Sequence, residues 1–471
     1  MDKKPQVINL GIASFYDALL DQDVKATNVD WHPPVKLEQS ILDRLARMKQ
    51  CEKFAVLVKK ANEAAADAII NADPNWIGVK LAGDVIKGLD DYTVTHSGPP
   101  IDFENMTMLH QRGMVSACLF EGWASTEEEA LELIKSGKIK MISALDTNTV
   151  GAGTGIITKH VAMIIVEDRY NGKTVATFPA EGIRFQGGFC GWGLYSREIA
   201  ENLYHMRDWL LPPMDQVARR KGGLPLKPIL AESMQMGDEN HTRQSAADLL
   251  YEHQVLLDMA RIEDMPKEQV LDSMNYIVET PRFFHCFGQG ASRAANLANV
   301  GREYSTVVTA VCGNGVEFGI KIAAMGDQWF TAKAPYMTGQ YTSSQYTIDD
   351  QLPWIGDSCV VECAGLGGLA AAASPIVCKL RGMTMKEAVG QTREMEKICV
   401  TTNYNYPIPN LDFDFLPCGI DMLKVLETGI TPCIHGGMFN KIGGLIGAGM
   451  ARVPMECFEK AFAAYAEKYG F

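Results

Sequence analysis

The sequence predicts a multidomain protein that mixes α/β and α+β architecture. Three observations carry this: a β-α-β pattern opens the chain, two hairpin signals lie far apart in it, and the stretch from Arg197 to about Val300 has helical periodicity alone. At 471 residues the chain is too long for one ordinary core. The expected layout is a small N-terminal parallel α/β (Rossmann-like) unit over 1–95, an α+β domain over 96–200, a helical subdomain over 201–302 and a second α+β domain over 303–471. The two mixed lobes each carry a β-hairpin.

Val7–Ile12 and Val24–Val29 read as strands around a short helix, Phe15–Leu20, which makes the two strands parallel. Leu37, Ile41, Leu42, Leu45 and Met48 form a helical stripe, and Ala61–Ala72 predicts a second helix before Asp73-Pro74. Trp76–Leu81 follows as a strand. Ser97-Gly98-Pro99-Pro100 is a rigid turn at the next boundary. Val115–Phe120 then reads as a strand, Ser125/Thr126 with Glu127–Glu129 as a helix start, and Met141–Leu145 as another strand. Val161–Glu167 pairs with Lys173–Phe178 across Asn171-Gly172. In the helical stretch, Pro266 opens a helix whose stripe is Val270, Leu271, Met274, Ile277 and Val278, with further helices over Ala246–Ala260 and Ala291–Val300. Thr306–Cys312 and Val316–Ile322 form the second hairpin across Gly313-Asn314-Gly315, and an amphipathic helix with Cys457, Phe458, Ala461, Phe462 and Tyr465 ends the chain.

The formal charge is −13 with no block of Lys or Arg, which argues against nucleic acid or an anionic membrane as the main partner. MDKKPQVINLG lacks the apolar core of a signal peptide, and Ala364–Val377 is too short and too interrupted for a membrane span. Twelve scattered cysteines without a C-x-x-C predict reduced, buried thiols of a cytoplasmic protein. Nothing indicates a cofactor, and no motif supports a metal; a loosely held Mg²⁺ would leave little trace.

Gly356–Pro375, GDSCVVECAGLGGLAAAASP, is the stretch with most to say. A strand through Val360–Cys363, a turn at Gly365, Gly367 and Gly368, and a small-residue helix ended by Pro375 would aim backbone N–H groups at an anion. Close helix packing explains the same glycines. Met234–Arg243 is the densest polar cluster: Asp238, Glu239, His241 and Arg243 could move a proton, polarise a carbonyl and hold a carboxylate. The plainer alternative is a capped helix start near Thr242 with solvated charges. Gly447 and Gly449 with Arg452, Thr428 and Thr431 on the turn before Pro432, Glu121 at the end of the expected strand, and Asn314 in the hairpin turn are further candidates. For these, packing and turn formation are the alternatives. Cys359 and Cys363 have no neighbouring base and read as buried thiols.

These motifs, taken in order, resemble a known family. SGPP at Ser97–Pro100, ACLFEGWA at Ala117–Ala124, MGDENHTR at Met236–Arg243, NGVEFGI at Asn314–Ile320, QWFTA at Gln328–Ala332, GDS at Gly356–Ser358, ETGITP at Glu427–Pro432 and IGAGMARVP at Ile446–Pro454 are similar to the YlbE-like, FdrA-associated proteins. The resemblance runs from about Phe54 to the C-terminus. Residues 1–50, with VINLG, SFYDAL and NVDWHPP, resemble instead the closing segment of FdrA-like proteins, which suggests a retained subunit contact.

The resemblance implies a subunit of an oxamate carbamoyltransferase that works with an FdrA-like subunit and a third, smaller one in anaerobic allantoin and purine breakdown. A homodimer is also compatible with it. The implied reaction moves a carbamoyl group between oxalurate and phosphate, giving carbamoyl phosphate and oxamate. The implied roles are phosphate binding by Gly356, Asp357, Ser358, Gly365, Gly367 and Gly368, acid–base and oxyanion work by Asp238, Glu239, His241 and Arg243, and carboxylate binding by Arg243 or Arg452. Two alternatives stay open: a non-catalytic assembly subunit, or transfer on another N-carbamoyl compound. The second arises because EGIRFQGGFCGWG at Glu181–Gly193 departs from the family pattern.

Overall fold

A computed structural model describes residues 7–10, 13–29, 35–182, 188, 191 and 193–471. Two compact units partition the chain, Met1–Glu38 and Gln39–Phe471. In the first, strands Val7–Leu10 and Ala26–Val29 flank the helix Ala13–Leu20 and pair in parallel, Val7 opposite Ala26 and Leu10 opposite Val29. A two-stranded unit has little room for a core of its own. Ile8, Leu10 and Phe15 are accordingly more than 60% exposed, at 68%, 63% and 63%.

The second unit mixes helices with several sheets, as the multidomain α/β and α+β class requires. A five-stranded sheet runs in the order Thr149–Val150, Lys173–Thr177, Ala162–Asp168, Pro74–Leu81, Leu224–Pro225. An antiparallel four-stranded sheet runs Phe330–Lys333, Glu317–Ile322, Val308–Asn314, Ile355–Gly356. Strands Thr338–Tyr341, Leu445–Arg452 and Cys433–Phe439 form a third, and Cys399–Pro407 pairs with Phe415–Ile420. Thr93–His96 and Lys140–Ser143 make a parallel pair. Both expected hairpins are present, each turning through a glycine at positive φ, Gly172 at 64° and Gly315 at 81°.

Between the hairpins lie the helices Arg197–His205, Leu211–Arg220, Lys227–Gln235, Ser245–Ala260, Lys267–Glu279 and His285–Leu297. His285–Leu297 is the central one. It is buried from Cys286 through Asn296 and packs on the strands Ala162–Asp168 and Lys173–Thr177. Gly290 permits that contact, since a Cβ there would meet Val166 Cγ2 at 2.7 Å. The same helix also meets the turn Ser358–Ala364, which packs on the strand Val308–Asn314, and so ties the helical stretch to the second hairpin. No helix among the described residues is long and apolar enough to cross a membrane.

Three local expectations need correction. Val115–Phe120 is not a strand but the last turns of the helix Met108–Phe120, which Thr107 caps by accepting from His110 N. A six-residue apolar run does not separate helix from strand; the longer pattern of buried Leu109, His110, Gly113, Met114, Ala117 and Cys118 is helical. Val360–Cys363 is likewise no strand but part of the 3₁₀ turn Ser358–Ala364, closed by Gly365 at φ 95°. Pro375 begins the helix Pro375–Leu380 instead of ending one, because the first helical position needs no N–H.

Candidate active site

From Trp354 to Cys363 every residue is buried except Ser358, so this segment reaches solvent at that one residue. Asp357 anchors it. Its Oδ1 accepts from Gly98 N at 2.8 Å and its Oδ2 from Gly151 N at 3.0 Å. Burial pushes the carboxyl up to about 7 against those two hydrogen bonds. Asn314 holds the same turn from the other side, its Nδ2 donating to Pro99 O at 3.0 Å while its Oδ1 accepts from Val316 N and Glu317 N. Residue 98 must be glycine: φ is 79°, and a Cβ would meet Asn314 N at 2.5 Å. Three motifs far apart in the chain thus clamp one point.

At that point Ser358 Oγ lies 3.0 Å from His241 Nε2, and His241 Nδ1 lies 3.2 Å from Glu362 Oε1. The carboxylate is fully buried and enclosed by backbone donors. Oε1 accepts from Gly368 N and from His435 N, both at 2.9 Å, and Oε2 from Leu369 N at 3.3 Å. Burial raises the Glu362 carboxyl above its ordinary range, opposed by His241 and these N–H groups. The glycine turn does cradle an anion, but the anion is the protein's own. A Cβ on Gly367 would meet Glu362 Oε1 at 2.2 Å, and Gly367 N is already bonded to Glu239 O at 2.7 Å.

A second carboxylate braces the imidazole from its backbone. Glu239 Oε1 accepts from the N–H groups of His241 at 3.2 Å, Thr242 and Arg243 at 2.8 Å, while Oε2 faces His435 Nδ1 at 3.2 Å. Burial works against its charge, yet the His435 hydrogen bond and the Arg381 guanidinium outweigh it and hold the carboxyl at about 2. Burial, aided by Arg381, pushes His435 down to about 3, so the ring is neutral. Its Nδ1–H then donates to Glu239, leaving Nε2 to accept from Gln391 Nε2 at 3.3 Å. Arg381 Nη2 reaches Thr242 Oγ1 at 2.9 Å.

His241 and Ser358 open onto a cleft of about 180 Å³ whose other walls include Arg282, His285, Gln289 and Gly436. That volume accommodates a small acid. The His285 ring lies 6.2 Å from that of His241 at 12°, and burial pushes it down to about 3, so it too is neutral. Arg282 sits on the wall with its backbone at φ 59°, a conformation that non-glycine residues avoid unless the surroundings enforce it. Asp248 does so, accepting from Arg282 N and Phe284 N at 3.1 and 2.7 Å. Of the stretch Glu181–Gly193, the described residues Glu181 and Gly191 line this cleft; residues 183–187, 189, 190 and 192 lie outside the described ones.

The candidates separate. His241, Glu239, Asp357 and Ser358 come together with Gly367 and Gly368. Asp238 caps the helix Ser245–Ala260 through Ala246 N and Ala247 N at 2.7 and 2.8 Å, and pairs with Arg243. Arg243 contributes its backbone to Glu239 but its side chain lines a different cleft with Met236 and Pro375. Gly447 and Gly449 are strand residues opposite Tyr341 and Gly339, packed too closely for a side chain. Arg452 pairs with Glu394, Thr428 caps its own helix end, Thr431 O accepts from Arg452, and Glu121 bonds His160. Cys359 and Cys363 are buried, with thiols that burial raises. Sequence reading missed Glu362, His435, Arg282 and Arg381. A lone carboxylate inside CVVEC was the available signal, because a charge in an apolar run must find partners. Among the described residues no group of three or more His, Cys, Asp or Glu side chains could hold a metal ion.

The sequence model of the family described as "Oxamate carbamoyltransferase subunit AllG" matches residues 139–358, a span that holds His241 and ends on Ser358. The Escherichia coli K12 protein named oxamate carbamoyltransferase subunit AllG is 34% identical over 418 residues, covering 88% of this chain and 99% of the relative. The chain belongs to the AllG family. A second relative, the uncharacterized protein YahG of the same organism, is 34% identical over 469 residues and 98% of both chains. Among solved structures, a conserved protein of unknown function from Enterococcus faecalis V583 shares the fold with a TM-score of 0.82 at 32% identity, over 87% of this chain and 98% of that one. The AllG family includes a named subunit of a carbamoyltransferase.

Proposed function

We propose that this AllG-family chain carries the carbamoyl-transfer site of an oxamate carbamoyltransferase-type complex, at the cleft lined by His241 and Ser358. The observation that carries the reading is the hydrogen-bonded line from Ser358 through His241 to Glu362, opening onto a cleft sized for a small acid. The reaction exchanges a carbamoyl group between phosphate and the amide nitrogen of oxamate, oxalurate being the N-carbamoyl acid, as a step of anaerobic allantoin breakdown in the cytoplasm.

Transfer moves one proton off or onto the amide nitrogen, and an imidazole in this setting serves as general base and acid. The Glu362 carboxylate selects the tautomer with Nδ1–H, which leaves the Nε2 lone pair towards the cleft. Among the described residues Arg282 is the arginine that lines the cleft, and it suits the carboxylate of oxamate, whereas Arg243 lines a different cleft and Arg452 pairs with Glu394. The partners are an FdrA-like subunit and a smaller third one, and the exposed Ile8, Leu10 and Phe15 of the N-terminal unit supply a surface for such contact.

The test is carbamoyl phosphate formation from oxalurate and phosphate by the reconstituted complex, with His241→Ala introduced in this chain alone. The reading expects at least about a 100-fold loss of turnover with assembly intact. Wild-type turnover by that variant would place the chemistry in a partner and make this chain an assembly subunit.

A further inference from the structure

We propose that Ser358 is a nucleophile and that transfer runs through a carbamoyl-serine on its Oγ, a step that rests on the reading of the cleft given above. Ser358 is the one residue between Trp354 and Cys363 that is not buried, and its hydroxyl sits 3.0 Å from the imidazole nitrogen that faces the cleft. The other imidazole nitrogen is held by a carboxylate that never reaches solvent. Nucleophile, base and orienting acid in hydrogen-bond sequence are the arrangement by which a serine is activated, whatever the fold. A serine needed only to finish the 3₁₀ turn would require neither the imidazole nor a buried carboxylate behind it. Burying Glu362 is costly unless its charge is fully hydrogen-bonded, and the glycine turn is shaped to do that.

The two half-reactions balance. From carbamoyl phosphate, Ser358 Oγ bonds to the carbamoyl carbon as its proton passes to His241 Nε2. The C–O bond to phosphate breaks, and phosphate departs with the proton that His241 returns. In the second half, the amide nitrogen of oxamate attacks the same carbon and gives a proton to His241. The C–Oγ bond breaks, and that proton restores the serine hydroxyl. The carbamate nitrogen delocalises its lone pair into the carbonyl, which slows attack by water and lets the intermediate wait for its acceptor. Glu362 touches no substrate; it is a positioning residue that stabilises the imidazolium formed in each half.

The deciding experiment gives the reconstituted complex carbamoyl phosphate, labelled in its carbamoyl carbon, with no oxamate present. Two readings follow: exchange of radiolabelled inorganic phosphate into carbamoyl phosphate, and mass analysis of acid-quenched peptides. The expected result is oxamate-independent exchange and one carbamoyl group on Ser358, both abolished in Ser358→Ala at an unchanged melting temperature. Exchange that requires oxamate, with Ser358 unlabelled while complete turnover is intact, overturns the covalent step and leaves the cleft assignment standing. Undiminished transfer from carbamoyl phosphate to oxamate by a complex carrying His241→Ala overturns the cleft assignment and the covalent step together.

Discussion

His241 has its two ring nitrogens committed in opposite directions, one to Ser358 and one to Glu362, and most residue-level expectations follow from that. Glu362→Gln keeps the shape but lets an amide N–H face a ring that needs an acceptor. It should lower kcat by about 100-fold or more with KM little changed, and shift the pH–rate profile, as pre-steady-state and steady-state kinetics on the complex would show. Glu239 contributes to stability in a definite pH window. Its folded carboxyl titrates at about 2 against an ordinary 4.5, so its contribution is complete above 4.5 and is lost as pH falls towards 2. Chemical denaturation of wild type and Glu239→Gln should therefore show a gap that narrows as pH is lowered through that window. Asp357 runs the other way. Its folded carboxyl is raised to about 7, so native stability falls as pH rises from about 4 to 7, and Asp357→Asn should gain on wild type over that interval. A gap that does not move with pH would refute either assignment.

The glycine turn Gly365–Gly368 teaches the same lesson for a whole element. Its composition announced anion binding, and its backbone does bind an anion, yet no sequence rule says whether that anion comes from a ligand or from the chain. The answer depended on Glu362, three residues upstream of Gly365, being folded back under the turn. Gly367→Ala places a methyl 2.2 Å from Glu362 Oε1 at a backbone φ of 71°. It should cost about 1 kcal/mol or more in an unfolding titration and depress turnover as well. A fully active, fully stable Gly367→Ala protein would contradict the cradle. Legibility varied with the source of the signal. Hairpins with Asn-Gly turns and the helix capped at Thr126 were readable because local chemistry decides them. Met108–Phe120 and Ser358–Ala364 were not, since short apolar runs take their form from tertiary packing.

Across the whole molecule four of the motifs, SGPP, MGDENHTR, NGVEFGI and GDS, are parts of a single assembly: Gly98, Gly151 and Asp357 meet, Asn314 closes on Pro99, and His241 arrives from the helical stretch to face Ser358. The residues of MGDENHTR could be singled out by their density, but Glu362, His435 and Arg282 enter from distant elements, and only the fold brings them there. The separate N-terminal unit has its own expectation. Removal of residues 1–38 should leave the melting temperature of Gln39–Phe471 within a few degrees of wild type while weakening capture of an FdrA-like partner; unchanged capture would argue against a subunit contact there. The central claim is the location of the chemistry on this chain. A crystal structure of the assembled complex trapped with oxamate and phosphate tests it most directly. The expected result is both molecules in the cleft of this chain, with the oxamate nitrogen and a phosphate oxygen beside Ser358 Oγ and the oxamate carboxylate on Arg282. Both molecules bound within a partner subunit, with this cleft holding solvent alone, would contradict it.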